Sequence, residues 1–578
     1  MTGVDARGPG RPRGAHARPL SRPADGGAKD APATGGAPAT GEARAAARHR
    51  ADVRRGPATR WLIPVIPALL ALVTGGYHLG VPPLWRDEAA TKAIAVRSVG
   101  QIVATMPHDD VVHFAYYLVV HVVIRVLGDS NAALRLPSVI AMAVAAAFTA
   151  LVARRLAQPG GHWYADCTGL LAGVVFALLP AVIRYAQEAR SYAIVTMLAA
   201  IATYLLLRAL DDGRRGWWTA YGAAVFLTGL FNIFGLLILA AHGLTVLATG
   251  RLDDGGGGSK DRAAPTGRRL AGVPVGWLIA GAIAAVLLVP LGLMAYAQRD
   301  ALSWMSATPI VKNIVALTRL WPGSATLAWP VFGLAGIGVA ASVIAWRRAL
   351  SAATVALPWL VAPPAILLAV SVSHPVYDER YVEYCLPALA ICVATGITWL
   401  WRAIVIAVPR VAQSAGLSWL AAVPALAACV ALIVALQPAE ALVRQPGYRP
   451  DDLERESAII AANAKPGDIV FYIPVNDRIV SMPFPDAWRK LRDIALGVTP
   501  TASNTLYGTD VTPAVLLSRF TDVTRVWLIS SSEVPLPTYL ASPQATALDR
   551  EEAGLIGAMR LVHRWRDGDT ELTLYATR

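Results

Sequence analysis

Apolar runs, many of them uncharged and approaching the ~20 residues a helix needs to cross a bilayer, recur along this chain from Trp61 onward. They fall at about 61–80, 134–153, 168–184, 191–210, 217–231, 232–249, 273–296, 327–345, 353–372, 384–401 and 417–437, about eleven expected spans. Hydrophobic residues make up 55% of the 578, and the mean hydropathy is +0.47, too apolar for a soluble protein of this size. The sequence therefore describes an α-helical polytopic membrane protein.

The net charge of +13 does not point to nucleic acid, because the basic residues sit mainly in short loops between apolar runs. Those loops orient the chain. Residues 1–60, with twelve Arg or Lys against five Asp or Glu and no apolar run, read as a disordered cytoplasmic arm. Its charge holds the N-terminus inside while 61–80 crosses outward. Val111–Leu127 is apolar but short, and it contains His113, His121 and Arg125. Read as interfacial or re-entrant, it leaves Arg154-Arg155 and every later basic loop inside: Arg214-Arg215, Arg251–Arg269, Arg347-Arg348 and Arg402–Arg410. Read as spanning, it would put them all outside. The glycines at 255–258 follow no strand and read as a linker, not a phosphate loop. The cysteines (Cys167, Cys385, Cys392 and Cys429) lie in or beside apolar runs without metal-ligand spacing, as small core residues do.

The remainder divides into an extracytoplasmic loop, 81–134, and a soluble extracytoplasmic domain, 438–578. In the loop, Thr91–Met106 predicts one amphipathic helix on the membrane surface. In the domain, a charged helix at 451–465 precedes a strand at 469–475. A helix at 512–520 and a strand at 526–530 follow, and a hairpin turns at Asp567-Gly568. That alternation predicts an α/β domain. It carries no nucleophile elbow or metal spacing, so it is expected to recognise an acceptor or to cap a site built elsewhere.

With this topology the unusual polar residues gather outside. Arg86, Asp87 and Glu88 stand just after the first span. His108, Asp109, Asp110, His113, Tyr116 and Tyr117 follow in the loop. The turn after the third span is Tyr185-Ala186-Gln187-Glu188-Ala189-Arg190-Ser191-Tyr192, and the loop after the ninth holds Tyr377-Asp378-Glu379-Arg380-Tyr381. Charges near hydrocarbon are rare, and acids, arginines, histidines and tyrosines on one face suggest a site. Loop solvation explains single charges, and tyrosines belong at interfaces in any case. Loop solvation explains the repeated Arg-plus-Tyr at span ends less well. A transporter would place its charges near the midplane in paired repeats, and no repeat is visible. A non-catalytic scaffold would not need the cluster.

Trp85-Arg86-Asp87-Glu88-Ala89, His113-Phe114-Ala115-Tyr116-Tyr117, the run from Gly128 through Ala133-Leu134-Arg135-Leu136-Pro137-Ser138, Gln187-Glu188-Ala189-Arg190 and Arg380-Tyr381, in this order and at span ends, resemble the GT-C membrane glycosyltransferases. The nearest branch is that of the protein mannosyltransferases and aminoarabinose transferases (family 39-like), in its actinobacterial form, over about residues 61–435. The resemblance implies a GT-C domain at 61–437 that moves a sugar from a polyprenyl-phosphate donor to an acceptor hydroxyl outside the cytoplasmic membrane, with inversion. It assigns Asp87 as general base, and Glu88 to position the acceptor or Asp87. Mannose is the expected sugar by resemblance alone, with arabinose, glucose or another pentose left open. The acceptor is a cell-envelope glycan, glycolipid or protein.

The leaving phosphate needs positive charge, for which Arg190 and Arg380 are the candidates. The plain alternative pairs Arg190 with Glu188 or another loop acid, and Arg380 with Asp378 or Glu379. Arg86, His108, Asp109, His113, Tyr117, Gln187, Glu188, Tyr192 and Tyr381 complete the expected donor-phosphate and substrate-binding set. His108, Asp109 and His113 either bind a divalent cation bridging the phosphate or orient substrate hydroxyls, and a plain surface histidine is the default for His108.

Overall fold

The computed structural model describes residues 58–254, 269–270, 273–302, 305, 308–345, 350–407, 423–532 and 534–578. The expected arm lies outside these residues but for its last three. So do the glycines at 255–258, Arg347-Arg348 and part of the basic loop beginning at Arg402.

Each expected span coincides with helix over its described residues; 417–422, the start of the last one, lie outside them. Among the described residues, six helices are long and apolar enough to cross a membrane, or up to eight if each of two bent pairs is one span. The six include Asn131–Leu156, Tyr192–Asp212, Ala325–Ala345 and Glu383–Ala403. The bent pairs are His162–Leu178 with Pro180–Ala186, at 62°, and Val275–Leu287 with Val289–Ala297, at 44°. Each bend has a proline at the start of its second half (Pro180, Pro290), where the missing N–H ends one hydrogen-bond ladder and a fixed φ starts the next. The expected count of eleven is therefore larger than the number of helices that meet the length among the described residues. The first expected span is a shorter apolar helix, Arg60–Gly76, and Val111–Leu127 is another.

The helices are packed through small residues, as helix pairs in lipid are. The most extensive helix pairing is between Ala325–Ala345 and Leu386–Ala407. A Cβ on Gly338 would collide with the Cys392 carbonyl oxygen, and one on Gly396 with that of Leu334.

The loop after the first helix departs from expectation. Thr91–Met106 is not one helix but parts of two, Arg86–Ala95 and Val99–Thr105. Ser98 starts the second with a reciprocal capping box to Gln101, a start signal inside the stretch read as continuous. The first helix begins earlier than expected, so Asp87 and Glu88 occupy its first turn, where the helix dipole favours carboxylates.

The C-terminal region is an α/β unit, as expected. The helix Leu453–Asn463 leads into β1 (Asp468–Ile473). The short β2 (Leu491–Asp493) follows, then β3 (Arg525–Ser531) and the hairpin β4 (Arg560–Asp567) and β5 (Thr570–Ala576). The sheet order is β2-β1-β3-β5-β4, parallel across β2-β1-β3 and antiparallel beyond. The three-residue β2 escapes a period-based reading because it is too short to show alternation.

This unit is not a detachable appendage. One face of its sheet, with Val470, Tyr472, Trp527, Ile529, Leu572 and Leu574, shares an apolar core with Ala89, Ala90, Ile94, Ile102 and Tyr117 of the 81–134 loop. The Leu453 N–H donates to the Leu84 carbonyl (3.1 Å). The helix that carries the acid pair is thus clamped between the membrane helices and the sheet.

Candidate functional site

Asp87 sits between two arginines from distant parts of the chain. Its Oδ2 accepts from Arg380 Nη1 at 2.7 Å, and its Oδ1 lies 3.4 Å from Arg190 Nη2. The side chain is still 26% exposed, the open carboxylate of the pair. Burial pushes its carboxyl up, but Arg190 and Arg380 outweigh burial and hold it below the ordinary carboxylate range. Arg190 also donates to Asp110 (2.9 Å) and to the Tyr117 hydroxyl (3.0 Å). Its Nε is buried with no hydrogen-bond partner among the described residues. Arg380 pairs with Asp378 at 2.9 Å and lies over the Trp85 ring, 5.7 Å from its centroid. The plain alternatives thus hold in part for both: Arg380 pairs with Asp378, and Arg190 pairs with the loop acids Asp87 and Asp110 rather than with Glu188.

Glu88 has the opposite environment. It is fully buried, and both oxygens accept from Arg135, at 2.7 and 2.6 Å. Its Oε1 also accepts from the Ala189 N–H (2.8 Å). Arg135 is itself fully buried and spends its remaining donors on the carbonyls of Leu79, Pro82 and Pro83. Burial raises the Glu88 carboxyl, Arg135 more than offsets it, and the group stays ionised below its usual range. This corrects the expectation of a catalytic Glu88, since no oxygen is open to a substrate. The two acids do not share a pocket.

Asp110 takes part in the site although, of the acids in the loop's His108–Asp110 run, only Asp109 was expected to bind substrate. It adopts a left-handed φ of 49°, accepts from Tyr117 and Arg190, and is held at about 2, where burial is outweighed by Arg190, His113 and Tyr117. His113 is buried, with Nδ1 2.8 Å from Ser191 Oγ and Nε2 4.0 Å from Asp110. Burial and then Arg190 push it down to about 4, so it is neutral at pH 7. Tyr192 is buried edge-on to His113 and also meets Tyr381.

Several other expected ligands are occupied elsewhere. Arg86 leaves the site, and its guanidinium pairs with Asp477 and with Asp451 (3.2 Å) of the C-terminal unit. Gln187 is buried and donates to the carbonyls of Gly75 (2.9 Å) and Tyr77 (2.7 Å). Glu188 is buried between Arg449 (3.2 Å) and Arg184 (3.9 Å), its carboxyl raised by burial. These three are corrections: each side chain ties segments together. Arg135, Arg449 and Asp477 were missed because a buried partner many residues away leaves no local pattern. His108 is exposed, and Asp109 accepts from the Leu506 N–H (2.7 Å). Among the described residues no three His, Cys, Asp or Glu are grouped to hold a metal ion. The Asp87 and Asp110 oxygens instead face guanidiniums, so the donor set does not fit a divalent cation.

Residues 113–251 match the family model described as dolichyl-phosphate-mannose-protein mannosyltransferase. No curated protein sequence matches the chain. Among solved structures, ArnT from Cupriavidus metallidurans in the apo state is 15% identical, covers 90% of this chain and 98% of its own, and has a TM-score of 0.50. The same protein bound to undecaprenyl phosphate is 16% identical over 89% and 98%, with a TM-score of 0.48. The archaeal oligosaccharyltransferase AglB from Archaeoglobus fulgidus, in complex with an inhibitory peptide and a dolichol-phosphate, is 11% identical over 89% and 74%, with a TM-score of 0.46. The resemblance to the GT-C membrane glycosyltransferases holds at the level of fold, and the chain is a multi-pass membrane protein. The matched stretch contains His113, Tyr117, Arg190 and Tyr192 but neither Asp87 nor Arg380.

Proposed function

We propose that this protein is a membrane glycosyltransferase that moves a sugar, mannose, from a polyprenyl-phosphate donor to a hydroxyl of a cell-envelope glycan, glycolipid or protein. The site faces the extracytoplasmic side of the cell membrane, with the arm inside and the 438–578 domain outside. The observation that carries this reading is the open Asp87 carboxylate bracketed by Arg190 and Arg380. The family description over residues 113–251 supports the donor class and the sugar.

The chemistry follows from those three side chains. A phosphate oxygen entering between Arg190 and Arg380 takes over guanidinium N–H groups now directed at Asp87, and the unpartnered Arg190 Nε adds a donor. Asp87, relieved of part of that positive charge, becomes more basic and takes the proton of the attacking acceptor hydroxyl. The hydroxyl oxygen forms the new glycosidic bond at the anomeric carbon as the bond to the phosphate oxygen breaks. The leaving phosphate keeps the electron pair, stabilised by the two arginines. Attack opposite the leaving group inverts the anomeric centre. His113, neutral at pH 7, pairs with Ser191 beside the Asp110–Arg190 contact without adding charge.

The test is transfer from radiolabelled polyprenyl-phosphate mannose into membrane acceptors, by wild type and by Asp87→Asn at equal expression. Transfer by wild type with loss in the variant supports donor class and base together. Equal transfer by both removes Asp87 from the role. No transfer by wild type rejects mannose, and polyprenyl-phosphate arabinose is the next donor.

A further inference from the structure

Away from the Asp87 site, a groove runs into the membrane domain from the loop at Asp211–Arg215. It encloses about 840 Å³, within the range of ligand sites, and lies between the helices Arg215–Phe231 and Val275–Leu287. The first helix lines it with Arg215, Trp218, Gly222 and Phe226, which share one helical face, and the second lines it from Gly276 to Leu287. Arg215 to Phe226 spans eleven residues of rise, about 17 Å, against a hydrocarbon core of about 30 Å. The groove is therefore close to one leaflet deep.

Its walls are fixed. Behind it, Trp277 Nε1 donates to the Tyr221 hydroxyl (3.1 Å), which lies 3.0 Å from His242 Nδ1, and His242 Nε2 lies 3.1 Å from Thr203 Oγ1. Those four residues stand on four different helices and tie them together. Glycines set the spacing of the two walls. A Cβ on Gly276 would collide with the Trp218 ring at 2.5 Å, and one on Gly222 would stand 3.2 Å from the Ala280 Cβ. The helices already touch at these points, so they cannot move closer and shut the groove.

Charge marks one end. Among the described residues Arg215 is the one charged side chain in the lining, and Arg214 precedes it. The acids of the same loop are engaged elsewhere: Asp211 pairs with Arg155, and Asp212 accepts from Arg208 (3.2 Å) and Trp217 Nε1 (3.0 Å). Arg214 and Arg215 are exposed, with no ion pair among the described residues. The Arg155–Asp211 pair puts this end on the side of Arg154-Arg155, the inner side in the topology proposed above. Positive-inside bias accounts for arginines in such a loop. It does not account for an arginine at the head of a fixed apolar groove one leaflet deep. A cationic head on an apolar trough of that length fits a lipid with a negative headgroup.

We propose that this groove binds an anionic glycerophospholipid of the adjoining leaflet, with its headgroup phosphate at Arg214 and Arg215 and one acyl chain along Gly222 and Gly276. The test titrates the delipidated full chain in detergent with phosphatidylglycerol and with phosphatidylcholine, and reads bound lipid by native mass spectrometry. Wild type is expected to bind one phosphatidylglycerol at least about tenfold tighter than phosphatidylcholine. Arg214→Gln combined with Arg215→Gln should bring the two lipids to within about threefold of each other. Ala223→Phe fills the groove from an exposed lining position and keeps both arginines, so it should remove the tight phosphatidylglycerol site at an unchanged lipid-free melting temperature. If that variant loses folded yield, the arginine variant alone decides. Equal affinity for the two lipids in wild type, or a preference kept by a folded variant, overturns the inference. Displacement of phosphatidylglycerol by equimolar polyprenyl phosphate also overturns it, since the groove would then belong to the sugar carrier. So does a wild-type dimer that Ala223→Phe dissociates, since a second copy would then be the occupant.

Discussion

Asp87 and Glu88 are neighbours in the chain and opposites in environment. The Asp87 side of their helix opens toward arginines delivered by two separate turns, and it keeps a quarter of its side chain exposed. The Glu88 side closes on a single arginine, and both of its oxygens are hydrogen-bonded and sealed from solvent. One turn of helix thus carries both a site and its foundation. The difference shows that an acid pair at a membrane surface need not work as a pair: ionisation of both is secured by giving each its own cations.

The largest effect expected from breaking this contrast is on chemistry at Asp87. Asp87→Asn should lower transfer by about 10²–10⁴-fold, the range of a lost general base, while the melting temperature of the solubilised protein stays near wild type. A variant that lost activity together with folded yield would show that Asp87 is part of the foundation after all.

Glu88 predicts the reverse pattern. Glu88→Gln leaves Arg135 as a buried, unpaired guanidinium, at a cost of about 3–5 kcal/mol in stability. Denaturant midpoints of the solubilised variant should fall accordingly, and activity should decline only with the folded fraction. Normal stability with lost turnover in Glu88→Gln would return this residue to catalysis.

How far the chain could be read in advance follows the same division. The helices, the α/β order of the C-terminal unit and the gathering of Asp87, Arg190 and Arg380 were legible, because each leaves a local mark: an apolar run, a period, a charge at a span end. Arg135 stood in the motif that carried the family resemblance, yet nothing near it announced Glu88, 47 residues away, as its partner. Arg86 was misplaced for the same reason, since its acids, Asp451 and Asp477, lie on the far side of the membrane domain in sequence. The break at Ser98 was the opposite case, a local capping signal present in the sequence and overridden by the surrounding amphipathic pattern.

The Arg86 cluster sharpens the comparison through pH. Glu456 is fully buried beside Asp451 and Arg86, and burial, with the charge of Asp451, pushes its carboxyl up to about 9. Its folded value lies above the unfolded one of about 4.5, so the folded state binds the extra proton between the two. Stability contributed by this group is full below pH 4.5 and is lost progressively as pH rises toward 9. Glu456→Gln should therefore flatten the stability curve over that window and raise stability at pH 8 by on the order of 2–4 kcal/mol. Midpoints measured at pH 5 and pH 8 check this: an equal gap between the two pH values in wild type and variant would show that Glu456 is ionised in the fold.

The smallest expected effect comes from a second ion pair on the same helix. Lys92 reaches Asp129 at 2.9 Å, tying the helix Arg86–Ala95 to the turn before Asn131–Leu156, the helix that also holds Arg135. Two ion pairs therefore connect the same two elements. They differ in solvent, because Asp129 is 56% exposed where Glu88 and Arg135 are sealed. Water and salt screen the Lys92–Asp129 attraction, and both side chains lose rotamer freedom to make it, so Asp129→Ala should cost under about 1 kcal/mol, and less at high ionic strength. The Glu88–Arg135 pair should show no such salt dependence. Loss of several kcal/mol in Asp129→Ala would mean that the turn itself, with Gly128 in its left-handed conformation, sets the angle between the two helices. The Asp87 site would then depend on that turn as well as on the buried pair.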